Sequence, residues 1–391
     1  MKVLYCAPVR STHYGYALEL FRAGMLQAFV SGVSRFAPNG ALPEIGDKLF
    51  RADLLQNVYL AALKARLPKA VTDELAYLSK IFIDQTCRGF TSKTNLFLYY
   101  NGCGLESARR VRQSGGITMV EAVNSHVLYQ EQIMREEHQL LGLKWNPFHC
   151  RETQRRVLEY QEANRILVPS EFVRKSFIAQ GIKEEKLIKV PYPIRSVVGA
   201  PEILQRHSKT DDVFRILFVG SISLRKGVRY LIEAFGRLRH PRKELWIVGP
   251  MLNPSGLEGL TIPEGVSFRG VLKRQELQKA YQSASLFCLP SIEEGLALVL
   301  GEALGNGLPI VTTDHSGAED LMTHDREGVI TGIRDPEALC SAFERAIQDP
   351  NWFGTIRENA RLRSLNLRDA PQSSGIVDQL SILIKNPPAN E

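Results

Sequence analysis

The sequence predicts an α/β fold made of two doubly wound domains. Short apolar runs bounded by glycine, proline or polar turns alternate with helical patterns, as parallel strands joined by crossover helices do. The alternation lapses once, from Pro191-Tyr-Pro193 to about Thr210, and then begins again. The 391 residues are 44% apolar and 23% charged. That suits two or three globular domains and excludes a disordered or collagen-like chain. We expect a first domain over 1–195, a second over 205–365, and a segment over 366–391 that crosses back to the first.

The elements follow in order. Lys2–Cys6 reads as a first strand rather than a signal peptide. A loop over Ala7–Gly15 and a helix over Tyr16–Ala28 come next. Residues 47–85 read as helical with a break near Pro68, because Leu54, Leu55, Val58 and Ala62, then Leu75, Leu78 and Phe82, recur at helical spacing. Asn95–Tyr99 and Ile117–Val120 are short strands. A polar helix covers Arg151–Asn164, where Glu152, Glu159 and Glu162 alternate with arginines as on a solvated, ion-paired face. Arg165–Val168 is a strand, Ser170 an N-cap for the helix Glu171–Gln180, and Leu187–Val190 a strand.

In the second domain strands are expected at Arg215–Val219, Leu245–Val248, Val266–Phe268, Leu286–Leu289, Ile310–Thr313 and Gly328–Ile330. Helices fall at Val228–Leu238, Glu276–Ser283, Leu296–Asn306 and Pro336–Gln348, the last with Asp335 as N-cap. In such sheets ligands bind at the carboxyl ends of the strands, so the cleft between the domains is the expected site.

Charge is uneven. Residues 1–200 hold 27 basic and 18 acidic residues, a balance of +9; residues 201–391 hold 22 and 24, a balance of −2. The first half is therefore expected to face something anionic, such as an acidic glycan or a membrane surface. No RNA-binding aromatic motif, P-loop or GxGxxG fingerprint is present, so nucleic acid is not an expected partner. The six cysteines form no CxxC pair, and no run reaches the ~18 apolar residues of a membrane span. A cytoplasmic protein without disulfide or zinc is expected, with peripheral contact to the inner face of a membrane.

Two stretches carry chemistry. In Leu289-Pro-Ser-Ile-Glu-Glu-Gly-Leu-Ala-Leu-Val299 a buried strand ends, a turn at Gly295 follows, and a helix opens whose free N–H groups favour an anion. Glu294 and Glu302 stand about 12 Å apart on helical rise, too far for the ~5 Å of a nucleophile and acid pair. They suit two parts of one elongated ligand. In Ile216-Leu-Phe-Val-Gly-Ser-Ile-Ser-Leu-Arg-Lys-Gly227, Arg225 and Lys226 sit between strand and helix, and two cations there suit a diphosphate.

Together, Gly220…Arg225-Lys226-Gly227, Pro290-Ser291-x-x-Glu294-Gly295 and Glu302 resemble the donor half of retaining glycosyltransferases of the GT-B fold, family 4. Phe268-Arg-Gly-Val271 and Asn164-Arg-Ile-Leu-Val-Pro-Ser170 fit the same pattern; over residues 1–160 the match is loose. The resemblance implies a nucleotide-sugar co-substrate, UDP- or GDP-linked, transferred with retention to a glycan, lipid-linked or small-molecule acceptor without a metal. Arg225 and Lys226 would neutralise the departing diphosphate and Glu294 would bind hydroxyls of the sugar. Glu302 would bind the ribose, N–H groups near Leu298 and Val299 the phosphates, and Val271 the base. Gly295, Ser221 and Gly15 complete the donor set. Ala297 and Ser221 stand where the family often has glycine and arginine, and Gly15 is the single glycine of the first loop.

His126, just past a strand, would face the reacting sugar in similar enzymes. His13 is read as structural or acceptor-side. Two other functions share the architecture: a nucleotide-sugar epimerase, which would need Glu293 or Asp314 to move protons, and a non-catalytic nucleotide- or glycan-binding protein.

Overall fold

The computed structural model describes residues 2–10, 13–37, 43–192, 213–252, 255–369 and 375–385. Most of the expected linker, and with it the expected boundaries at 195 and 205, lies outside the described residues.

The first sheet has seven parallel strands: β1 (Val3–Ala7), β2 (Leu26–Ser31), β3 (Leu49–Arg51), β4 (Leu96–Tyr100), β5 (Ile117–Glu121), β6 (Arg165–Val168) and β7 (Leu187–Lys189). Their order is β3-β2-β1-β4-β5-β6-β7. Helices α1 (His13–Arg22), α2 (Leu54–Lys64), α3 (Lys69–Cys87), α4 (Leu105–Gln113), α5 (Val127–Leu140), α6 (Cys150–Glu162) and α7 (Glu171–Ala179) connect them. The second sheet has six parallel strands: β8 (Phe214–Val219), β9 (Lys243–Val248), β10 (Val266–Gly270), β11 (Leu286–Leu289), β12 (Ile310–Thr313) and β13 (Gly328–Thr331). Their order is β10-β9-β8-β11-β12-β13. Its helices are α8 (Val228–Arg237), α9 (Arg274–Ser283), α10 (Leu298–Gly305), α11 (Pro336–Gln348) and α12 (Pro350–Asp369), and α13 (Ile376–Lys385) comes last.

The central strands are mostly apolar because helices cover both faces of each sheet, with Arg215 in β8 and two threonines in β12 among the polar members. Every residue of β1, β8, β11 and β12 is buried. Both sheets reverse strand order beside their first strand, between β1 and β4 and between β8 and β11, which makes those strand ends natural ligand crevices. Ser170 and Asp335 cap α7 and α11 by accepting from Val173 N and Ala338 N. Near the other end of the chain, α13 buries Ile376, Leu380 and Leu383 and packs against α1.

Several local expectations are corrected. The first helix begins at His13, so Gly15 is helical rather than part of a loop. The stretch after Gly24 is the strand β2, not the tail of a helix. Residues 49–51 form an edge strand, and α4 and α5 are additional helices. The polar helix α6 is not wholly solvated. Glu159 is buried and accepts from Gly102 N and Gly104 N, which pins the turn after β4. Burial pushes its carboxyl up to about 7. No helix among the described residues is long and apolar enough to cross a membrane.

Candidate active site

The site grows from the two strand ends at the switch point of the second sheet. After β8 the chain makes a tight turn through Ser223–Lys226, and Gly227 closes it at φ +62. A Cβ on Gly227 would collide with the Pro290 carbonyl oxygen, so glycine lets the turn after β8 lie directly on the turn after β11. The backbone reinforces this: Ile292 N donates to Arg225 O at 2.9 Å.

That contact brings the two cations to one carboxylate. Arg225 Nη1 lies 2.9 Å from Glu294 Oε1, and Lys226 Nζ forms an ion pair with the same oxygen. Burial alone would lower the Arg225 guanidinium, but Glu294 and Glu293 outweigh it and hold it raised. Burial wins at Lys226, whose ammonium lies below its usual value despite Glu294. Burial disfavours the Glu294 carboxylate, yet Arg225 and Lys226 bring it below the ordinary range. The group thus sets one arginine and one lysine on a single carboxylate just ahead of the amino end of α10.

Glu293 touches Arg225 Nη1 at 3.5 Å with one oxygen and otherwise faces the other way. It is 0% exposed and reaches across to the first domain. Ser125 N and Oγ donate to Oε1 at 3.1 and 2.7 Å, and Gln130 Nε2 donates to Oε2 at 2.8 Å. Arg225 Nη1 donates to its carbonyl at 2.9 Å. The backbones also meet here. A Cβ on Gly295 would strike the Val123 carbonyl oxygen, and Ser170 Oγ donates to Gly295 O at 2.5 Å.

A matching clamp runs the opposite way. Glu137, buried on α5, accepts from Tyr230 OH at 2.9 Å and from Arg334 Nε at 2.7 Å, both in the second domain. Arg334 also donates to Ile133 O at 3.0 Å, which ties it to the helix backbone. These partners lie up to about two hundred residues apart in sequence, and no local motif announced them. The adjacent pair Glu293-Glu294 was the one available signal, two carboxylates in the turn after a buried strand.

Residues 213–349 match the family model for Glycosyl transferases group 1. The matched stretch spans the C-terminal domain from β8 to α11. A GDP-mannose-dependent alpha-mannosyltransferase of Mycobacterium tuberculosis is 31% identical over 179 residues, 45% of this chain and 46% of that protein. An uncharacterized glycosyltransferase of Methanocaldococcus jannaschii is 31% identical over 157 residues, 39% and 40% of the two chains. The chain spans about half the length of the curated relatives it matches. Solved structures align over nearly the whole chain. Sucrose-phosphate synthase from Thermosynechococcus elongatus has a TM-score of 0.73 at 17% identity, covering 98% of this chain and 99% of that one. WaaG, a glycosyltransferase involved in lipopolysaccharide biosynthesis, has 0.65 at 16%, covering 98% and 100%. Anabaena HepE in complex with UDP-glucose has 0.63 at 15%, covering 98% and 100%. The chain has the GT-B fold.

The matched stretch holds Arg225, Lys226, Glu294, Gly295, Leu298, Val299 and Glu302 on adjoining segments. Leu298 and Val299 form the first turn of α10 after Ala297. Glu302, one turn on, accepts from Tyr281 OH at 2.9 Å, and burial raises its carboxyl. Val271, 74% exposed, follows β10 at the sheet edge, and Ser221 is half-buried after β8. His126 and Gly15 lie in the first domain. His126 does not present an open ring to the cleft. It is 3% exposed, packs on Tyr160 and Phe177, and caps α5 by accepting from Leu128 N. Burial and then Arg156 bring its pKa down to about 4, so it is a neutral ring. His13 is buried with Tyr5 and Glu121 around its Nδ1. Among the described residues no group of three or more His, Cys, Asp or Glu is placed to hold a metal ion.

Proposed function

We propose that the chain is a glycosyltransferase that moves a sugar from a nucleotide diphosphate to an acceptor on the first domain, with retention of anomeric configuration. One observation carries this: Arg225 and Lys226 converge on Glu294 at the switch point, just ahead of the amino end of α10. Breaking a sugar–phosphate bond puts charge on the leaving diphosphate. Preorganised cations and helix N–H groups meet that charge without reorganisation. Glu294, freed from the cations by the incoming diphosphate, takes hydroxyls of the sugar. Glu302 takes the ribose, Val271 the base, and the N–H groups at Leu298 and Val299 the phosphates. The bond from the anomeric carbon to the phosphate oxygen breaks, the acceptor oxygen bonds on the same face, and the departing phosphate oxygen takes the acceptor proton. Arg225 and Lys226 supply the charge a divalent ion supplies in other folds.

The printed names of the relatives support a nucleotide donor: one is GDP-mannose-dependent, and HepE was solved with UDP-glucose. We read the donor as UDP- or GDP-linked. The acceptor is read as a glycan or lipid-linked sugar in polysaccharide assembly, met by a cytoplasmic enzyme resting on the inner face of a membrane. A relative from Erwinia amylovora is named for amylovoran biosynthesis.

A thermal-shift series with UDP, GDP and ADP sugars tests the donor. A ligand at a hundred times its dissociation constant stabilises by about 2.7 kcal/mol, so one series should raise the melting temperature by a readable amount. No shift with any of them removes the reading. Glu294→Gln combined with Lys226→Ala should lower turnover about tenfold to a hundredfold; unchanged cellular activity would leave a non-catalytic binding protein. Epimerisation is disfavoured because Glu293 is buried and committed to the first domain, while Asp314 is exposed. Turnover of a nucleotide sugar without acceptor would restore it.

A further inference from the structure

The first domain carries a helix that is apolar on its outer face as well as its inner one. Helix α2 buries Gln56 and Ala62 and leaves Leu54, Val58, Leu60 and Leu63 exposed. Leu54, Val58, Ala61 and Lys64 follow the i, i+4, i+7, i+10 spacing of one outer helical face, and all four are exposed. From Leu54 to Leu63 the helix has no charged residue. Basic residues then cluster at its end, Lys64 and Arg66, and neither has an acidic partner among the described residues. Leu67 extends the apolar surface into the turn before α3. At the other end, Arg35 and Asp53 pair through two guanidinium bonds of 3.0 and 2.8 Å. That pair sets Phe36, 81% exposed, and Leu54, 64% exposed, on either side of one ion pair.

This surface has a position as well as a composition. Phe36 and Leu54 lie beyond the carboxyl ends of β2 and β3. Val123, which meets Gly295, lies beyond the carboxyl end of β5 in the same parallel sheet. The exposed apolar surface therefore starts at the cleft end of the first domain and runs from there along α2.

We propose that the outer face of α2 and the turn to α3 dock on an anionic lipid surface, the leucines entering the headgroup boundary and Lys64 and Arg66 meeting lipid phosphates. This names the surface for the membrane contact proposed above and rests on that reading. Apolar residues on one face with cations beside them are what an interfacial helix needs, since long basic side chains keep their charge in water while their stems follow the apolar surface. A second copy of the chain is the poorer occupant. A twofold interface sets a patch against itself, and since residues 54–67 hold no acidic side chain the patch would offer Lys64 and Arg66 no anionic partner.

The test is co-sedimentation of the full chain with vesicles of phosphatidylglycerol and phosphatidylcholine, against phosphatidylcholine alone, at low and high salt. The chain should pellet with the anionic vesicles and be released by salt. Lys64→Glu with Arg66→Glu, and separately Leu54→Ser with Val58→Ser, should each weaken partitioning by at least about tenfold. These positions are exposed, so melting temperatures should stay unchanged and show that the variants fold. Equal pelleting on both vesicle types, or variants that pellet like the parent, would overturn the proposal. So would a dimer by light scattering that Leu54→Ser with Val58→Ser makes monomeric. Vesicle binding by a chain that no nucleotide sugar stabilises would uphold docking and remove the transferase reading instead.

Discussion

Two neighbouring glutamates do opposite work. Glu294 turns to the cations of its own domain, and Glu293, beside a 3.5 Å contact to Arg225, to the donors of the other. Removing Glu293 would leave Ser125 and Gln130 facing a void across the seam. Breaking a buried charged network from one side costs about 3 kcal/mol. We expect Glu293→Ala to lower the urea midpoint accordingly, and a loss well under 1 kcal/mol would mean the seam is wet and weak. His126 makes a pH prediction. Its pKa is about 4 in the folded chain, below the usual 6.5 that the unfolded chain should show. Between those values the unfolded state binds more protons, so its contribution is full above pH ~6.5 and fades as the pH falls toward ~4. The contribution is on the order of 3 kcal/mol at most. Stability measured from pH 7 to pH 4 should fall less steeply in His126→Gln than in the parent. Identical slopes would place the ring in solvent.

At the scale of elements, the turn around Gly295 is the most constrained piece of the site. Any side chain there meets the Val123 carbonyl, so Gly295→Ala must push the domains apart or distort the turn. We expect turnover to fall at least about tenfold, since positioning errors of an ångström carry losses of that size. Nucleotide binding measured by thermal shift should fall less. A fully active Gly295→Ala would show that the domains do not need to meet there.

The turns of the second domain were legible because strands such as Leu286–Leu289 and the Ile216–Val219 part of β8 are apolar runs with proline or glycine directly after them. The first domain was harder to read. Leu26–Ser31 follows a helix with only Ala23–Met25 between, and its run Leu-Gln-Ala-Phe-Val-Ser fits either periodicity. A three-residue strand such as β3 has too little pattern to stand out, and α5 looks polar because its partners come from the other domain. Arg225, Lys226 and Glu294 could be named from spacing. Gln130, Glu137 and Arg334 could not, because only the closed molecule brings them to their partners.

For the whole molecule, α5 is gripped from both sides: Glu137 holds Tyr230 and Arg334, and Gln130 holds Glu293. The closed arrangement therefore depends on Arg334, whose φ of +60 is unusual for a side chain of its size. Arg334→Ala should leave Glu137 short of a charge partner and shift the population toward an open form. Small-angle scattering should then report a larger radius of gyration without loss of helix signal. An unchanged radius would mean that the remaining seam contacts suffice.

The packing of α13 against α1 has a consequence for biogenesis. Residues 376–385 cover a helix that begins at residue 13, so the first domain waits until the second has been made before its outer coat is finished. On the ribosome, α1 emerges early with its partner still unmade. Trimming away α13 would then be felt first at the opposite terminus, as faster hydrogen exchange in α1.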